Sequence, residues 1–281
     1  MRHQMSAAAA PARVLLATLA LITLRGALGE PGPLLLRLDS NVQEILSAVN
    51  QLKAATGGSA AGSVAGGQSA GSSAGGCHNG FFTAPKDRKD IAAILQQKGF
   101  KTGVELGVQR AWFSAHNLYH WTSCEKYYLV DAWAHQVNYE DLANVDQSKQ
   151  NEIYNEAVTN LAAYASKTVF LRNYTNDAIK YIPDNVDFVY VDARHDYCGV
   201  MEDLKLYWPK IRVGGIMAGH DYLDAPYVKE ISGQAWEKCM DGSIHPGAVK
   251  GAVDDFFRPL GQHVFVTYLD GPWVTWVVLK G

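Results

Sequence analysis

A basic excess is missing from this sequence. Over 281 residues, 25 Lys and Arg stand against 28 Asp and Glu, a formal net charge of −3. That balance excludes the electrostatic footprint of a nucleic-acid-binding protein, so no nucleic-acid partner is expected. Cysteine is scarce as well: Cys77, Cys124, Cys198 and Cys239 form no CxxC pair and no Cys/His cluster of zinc spacing, which excludes a structural zinc site. The body of the chain has nothing near the ~18 consecutive apolar residues of a membrane span. What remains is an ordinary composition, 48% hydrophobic and 19% charged, with material for one main core.

The N-terminus departs from that average. Arg2 and Arg13 precede an eleven-residue apolar run, Val14 to Leu24, and the small residues of "GALG" follow before the first acid, Glu30. Residues 1–29 read as a secretory signal peptide or, uncleaved, as a short signal anchor, the one route by which this chain meets a membrane. The same acid-poor segment also fits a transit peptide to a chloroplast or other organelle. Secretory entry leads to the Golgi lumen or outside the cell, where four cysteines permit two disulfides in three connectivities. Asn173-Tyr-Thr175 is one N-glycosylation sequon, a weak three-residue signal.

In residues 30–56, Leu35, Leu38, Val42, Ile45, Val49 and Leu52 step by threes and fours, the stripe of an amphipathic stem helix. Self-association through 35–52 is the corresponding expectation, though the stripe covers under three heptads. Residues 57–76 are nearly all Gly, Ser and Ala and read as a flexible linker. From residue 77 to 281, short apolar runs alternate with amphipathic segments. "TGVELGV", "KYYLVDAW", "KTVFLRNY", "VDFVYVDA" and "VGGIMAGHDY" read as strands separated by helices, and "HVFVTYLDGPWVTWVVLK" as a closing antiparallel hairpin around Asp270-Gly271-Pro272. Such alternation requires crossovers, hence a doubly wound, mostly parallel α/β sheet covered on both faces. The segment after the fifth strand, 223–247, reads as long and irregular.

In open α/β sheets ligands sit beyond the carboxyl ends of the strands, and the polar clusters fall there. "VELGVQRA" fails the GxGxxG fingerprint, because Gln109 and Trp112 occupy the second and third glycine positions. It leaves Glu105 to accept a hydrogen bond from an ammonium or hydroxyl, and Gly107 to let the backbone approach a ligand. Asp131, ending "YYLVD", is placed either to grip ribose hydroxyls or to cap a turn. "VDARHDY" ends the most apolar strand in Asp192, His195, Asp196 and Tyr197, with Asp196 and Tyr197 read as a helix cap and pocket lining. Trp133 and Trp236 are candidates for a sugar-binding face, although core packing is the commoner use of a tryptophan.

The succession "VELGVQRAWFS", "YYLVDAWAHQ", "VDFVYVDARHDY", "VGGIMAGHDY" and hairpin resembles the class I S-adenosylmethionine-dependent methyltransferases. It is most similar to the branch with the macrolide-sugar O-methyltransferases, and Ala111 stands where a third glycine is common. The resemblance implies a Rossmann-like seven-stranded sheet over 77–281. It places Glu105 and Gly107 by the methionine part of S-adenosyl-L-methionine, Asp131 on the ribose, and Tyr174-Thr175 near the adenine. It implies a divalent metal, Mg²⁺ or Mn²⁺, at Asp192 and His220-Asp221, with His220 a departure because hard ions prefer oxygen. His195 stands at the position of a base, and a neutral imidazole suits removal of a hydroxyl proton. The implied reaction is methylation of a hydroxyl on a small molecule or glycan. The competing expectations are a non-catalytic carbohydrate-binding or scaffold protein, and a metal-dependent hydroxylase.

Overall fold

Residues 83–281 are described by the computed structural model of the chain. The expected signal segment (1–29), stem helix (30–56) with its self-association through 35–52, and linker (57–76) lie outside the described residues. Among the described residues no helix is long and apolar enough to cross a membrane.

The apolar runs form strands where expected. β1 (Thr102–Leu106), β2 (Lys126–Asp131), β3 (Thr168–Arg172), β4 (Val186–Val191) and β5 (Ile211–Gly219) pair in parallel. β4 is buried at every position, as a central strand covered on both faces must be. Its successive side chains go opposite ways. Phe188 and Tyr190 join one core with Ile91, Leu95, Leu118 and Ile153, and Val189 joins the other with Leu204, Val253 and Phe257.

The first core packs α1 (Asp90–Gln97), α2 (Trp112–His120) and α3 (Gln147–Asn160) on one face. The second takes the short α4 (Thr175–Ala178), then α5 (Tyr197–Tyr207), α6 (Ala225–Ser232) and α7 (Ala248–Phe257). With β6 (Phe265–Val266) and β7 (Trp276–Leu279), the sheet has seven strands in the order β3-β2-β1-β4-β5-β7-β6. β7 runs antiparallel to both β5 and β6. This is the doubly wound, mostly parallel sheet with an antiparallel C-terminal pair.

Two local differences from the sequence expectation have physical causes. The segment after β5 contains α6, announced by Asp224, whose side chain accepts from Tyr227 N, and by Pro226 in the first turn. The β6–β7 connection is wider than a tight turn. Asp270 Oδ2 accepts from Thr275 Oγ1 at 2.8 Å, Thr267 Oγ1 at 3.2 Å and Arg88 N at 3.0 Å, organising residues 267–275 as a loop and tying it to the approach to α1.

Candidate active site

Strand register builds the site. Leu106 lies beside both Val130 and Val191, Asp131 beside Arg172, and Val191 beside Gly219. One step further along the carboxyl edge, Asp131, Gly107, Asp192 and His220 are therefore brought side by side. The chain winds outward in opposite directions from β1 and β4, so the crevice opens between Gly107 and Asp192. A cavity of about 510 Å³ lies there, inside the range of roughly 300–1,000 Å³ usual for small-molecule pockets. Glu105, Gly107, Asp131, Tyr174, Thr175, Asp192, His195 and Asp221 all line it. His220 is not among the lining residues.

Each cofactor candidate is held by its own neighbours. Glu105 is buried, accepting 2.9 Å from Ser114 Oγ and 2.6 Å from Tyr127 OH. Burial outweighs those hydrogen bonds and pushes its carboxyl up to about 8. Asp131 closes the glycine turn: Oδ2 accepts from Val108 N and Gln109 N at 3.0 and 2.8 Å, and Oδ1 from Trp133 N at 2.7 Å. Burial raises the Asp131 pKa against these bonds. A carboxylate offers about four acceptor positions, so three backbone donors leave room for a ribose hydroxyl. Gly107 has φ +82, and a Cβ on it would stand 1.8 Å from the Asp192 carbonyl oxygen. Its glycine is thus required by the close approach of the chain at the ends of β1 and β4, independently of any ligand. Ala111 is also left-handed at φ +62, the conformation that makes glycine common at such a turn.

Among the candidate catalytic and metal residues, His195 occupies the centre. Its Nε2 lies 3.3 Å from Asp221 Oδ2 and 3.7 Å from Asp192 Oδ1, and its Nδ1 lies 2.8 Å from Asp141 Oδ2. Burial alone would lower the imidazole pKa, but Tyr139, Asp141, Asp192 and Asp221 outweigh it and hold it well above the usual value. His220 Nδ1 lies 2.9 Å from Asp221 Oδ1 and 3.9 Å from Asp192 Oδ1, and the two carboxylates likewise raise it against burial. Asp192, His195 and Asp221 each offer an atom within 4.8 Å of the others, a spacing that an ion can bridge; His220 is outside that trio. Asp221 adopts φ +58, a strained conformation for a non-glycine residue, of the sort found at functional sites.

Sequence reasoning misses Asp141 and Tyr139, which arrive from the loop between β2 and α3 with no motif to mark them. Of the two readings open for Trp133 and Trp236, core packing is the one the structure has. Trp133 is fully buried against Tyr154 and Phe170, and Trp236 is 3% exposed and stacks on His195 at 4.3 Å. Neither offers a free face to a sugar. Asp196 caps α5 by accepting from Gly199 N. The Cys198–Cys239 disulfide joins the first turn of α5 to the segment carrying Trp236, and Cys124 is buried with a free thiol that burial pushes up to about 12.

Residues 100–222 match the family model described as a methyltransferase domain. That span carries β1 to β5 and makes this part of the chain a methyltransferase domain. Its sheet is shared with a Staphylococcus aureus protein described as a putative caffeoyl-CoA O-methyltransferase. The two are 13% identical, aligned over 69% of this chain and 82% of that one with a TM-score of 0.50, a likeness that shows the fold. Other similar structures are an O-methyltransferase from Bacillus cereus in complex with SAH (13% identity, 71% and 83% covered, TM-score 0.47) and the O-methyltransferase TomG from Streptomyces achromogenes, involved in tomaymycin synthesis (13%, 69% and 79%, 0.47). No curated protein sequence matches significantly. The seven-stranded sheet with an antiparallel end is the architecture, and S-adenosylmethionine the methyl donor, that the sequence resemblance implies.

Proposed function

We propose that this methyltransferase transfers the methyl group to a hydroxyl of a small-molecule or glycan acceptor, with His195 taking the hydroxyl proton. The observation that carries the reading is that His195 lines the cavity with its Nε2 between Asp192 and Asp221 and its other nitrogen on Asp141. In the displacement, the acceptor oxygen forms a bond to the methyl carbon as the carbon–sulfur bond breaks. The sulfonium becomes a neutral thioether and the hydroxyl proton passes to Nε2. Glu105 and Gly107 serve the methionine end, Asp131 the ribose, and Tyr174 and Thr175 the adenine.

The corner also fits Mg²⁺ or Mn²⁺. Asp192 and Asp221 bring anionic oxygens of the kind that hard ions take to within 4.8 Å of one another and of His195. Asp192 and Asp221 would hold the ion, with His220 adjacent to Asp221. When bound it would lower the pKa of a coordinated hydroxyl and help orient it. The same two carboxylates favour the charged imidazole, so a base at His195 needs their charge balanced.

The sugar or glycan reading is supported by Trp112, which lines the cavity and is 66% exposed, an open aromatic face of the sort that stacks on sugar rings. A lumenal location, Golgi or secreted, is supported by the N-terminal apolar run and by the Cys198–Cys239 bond, since disulfides persist in oxidising compartments. Protease protection of the chain in microsomes, with a glycosidase-sensitive shift at Asn173, tests that placement. The reaction is tested first by calorimetric titration of S-adenosylhomocysteine with and without Mg²⁺. Micromolar binding is expected; a folded protein that binds none sinks the reading.

A further inference from the structure

We propose that Asp141 is a positioning residue, holding His195 as the Nδ1–H form and turning Nε2 toward the acceptor hydroxyl. The proposal rests on His195 being the proton acceptor, as above. Asp141 comes from the loop between β2 and α3, 54 residues away in sequence, and its carboxylate reaches Nδ1 at 2.8 Å. An ionised carboxylate accepts and never donates, so the ring nitrogen in that contact must carry the hydrogen. When the imidazole is neutral, its lone pair is then at Nε2, the atom facing Asp192 and Asp221.

Three further contacts make the pair a built arrangement. The side chain of Asp141 is 3% exposed, and its second oxygen is held by Ala143 N at 2.8 Å. Tyr139, on the same loop, accepts from the His195 backbone N–H at 3.0 Å. Trp236 covers the ring face with an interplanar angle of 24°. A ring flip would break the bond to Asp141 and slide against Trp236, so rotation is blocked on two sides. A carboxylate that fixes tautomer and orientation in this way is what makes an imidazole an effective base.

The test uses the full-length protein labelled with ¹⁵N-histidine, saturated with S-adenosylhomocysteine and Mg²⁺. The Nδ1–H proton of His195, identified by its disappearance in His195→Gln, should be strongly deshielded. In Asp141→Asn that signal should be lost or move upfield, with S-adenosylhomocysteine affinity within about threefold of the parent. The conservative variant Asp141→Glu keeps a carboxylate and should recover part of the deshielding, separating a lost carboxylate from a collapsed loop. An unprotonated Nδ1 in the parent protein, read from its ¹⁵N shift without any variant, overturns the proposal. So does a deshielded signal unchanged in Asp141→Asn. Failure of S-adenosylhomocysteine to bind the parent would instead count against the function on which the proposal stands.

Discussion

Gly107 and Asp192 touch through their backbones: a Cβ on Gly107 would sit 1.8 Å from the Asp192 carbonyl oxygen, at a residue whose φ is +82. Two costs therefore fall on one methyl group, the left-handed conformation and the clash. Together they should destabilise Gly107→Ala by about 3–5 kcal/mol. Thermal melts should show the loss, and calorimetry should show S-adenosylhomocysteine affinity down by tenfold or more. A variant that melts like the parent would mean that β1 and β4 can part without penalty.

Glu105 makes stability depend on pH in a stated direction. Its carboxyl titrates at about 8 in the folded protein against an ordinary 4.5, because burial disfavours the charge. The folded state therefore holds the proton more tightly than the unfolded state. Its contribution is fully present below pH 4.5 and is lost as pH rises through 8, at no more than roughly 1.4 kcal/mol per pH unit. Denaturant melts from about pH 5 to about 8.5 should show Glu105→Gln gaining on the parent as pH rises. An ammonium on the ligand wants the carboxylate, so S-adenosylhomocysteine affinity of the parent should rise over that window and that of the variant should not. Parallel curves would show that Glu105 does not titrate there.

Asp192 and Asp221 should carry metal affinity. Mn²⁺ binding, followed by its electron paramagnetic resonance signal, should weaken at least about tenfold in Asp192→Asn and in Asp221→Asn, since each removes one anionic ligand. Chelation should abolish turnover in the parent, and His195→Ala should lower turnover by about 10²–10⁴ with cofactor affinity nearly unchanged. Turnover that survives chelation would take the ion out of the reaction.

The disulfide closes a loop of sequence separation 41 between Cys198 and Cys239. Loop-closure entropy assigns a bridge of that span roughly 3–4 kcal/mol. The Cys198→Ser/Cys239→Ser double variant should melt correspondingly lower. The disulfide also anchors the segment that carries Trp236, so Trp236 fluorescence should change on reduction. Identical melts with and without reductant would show that the native packing alone holds this segment on α5.

Much of the architecture is legible because it is local. Alternating apolar runs mark β1 to β5, and the hydrophobic stripe of "DIAAILQQ" marks α1, since both periodicities are properties of a short segment of chain. The edge acids Asp131 and Asp192 can be found for the same reason, as each ends an apolar run. The helix α6 escapes the sequence reading although Asp224 and Pro226 signal its start, because the surrounding glycine and lone tryptophan read as irregular.

By itself, the sequence of this protein determined the strand–helix alternation, the covered parallel sheet and the carboxylates at its edge. Only tertiary structure decided that Asp141 reaches His195, that Trp236 closes over the same ring, and that Gly107 is required by Asp192. The physical reason is distance along the chain. Periodicity and caps are set by neighbours within a few residues, whereas those three contacts exist only after β1, β2, β4 and the segment beyond β5 have been brought to one edge of one sheet.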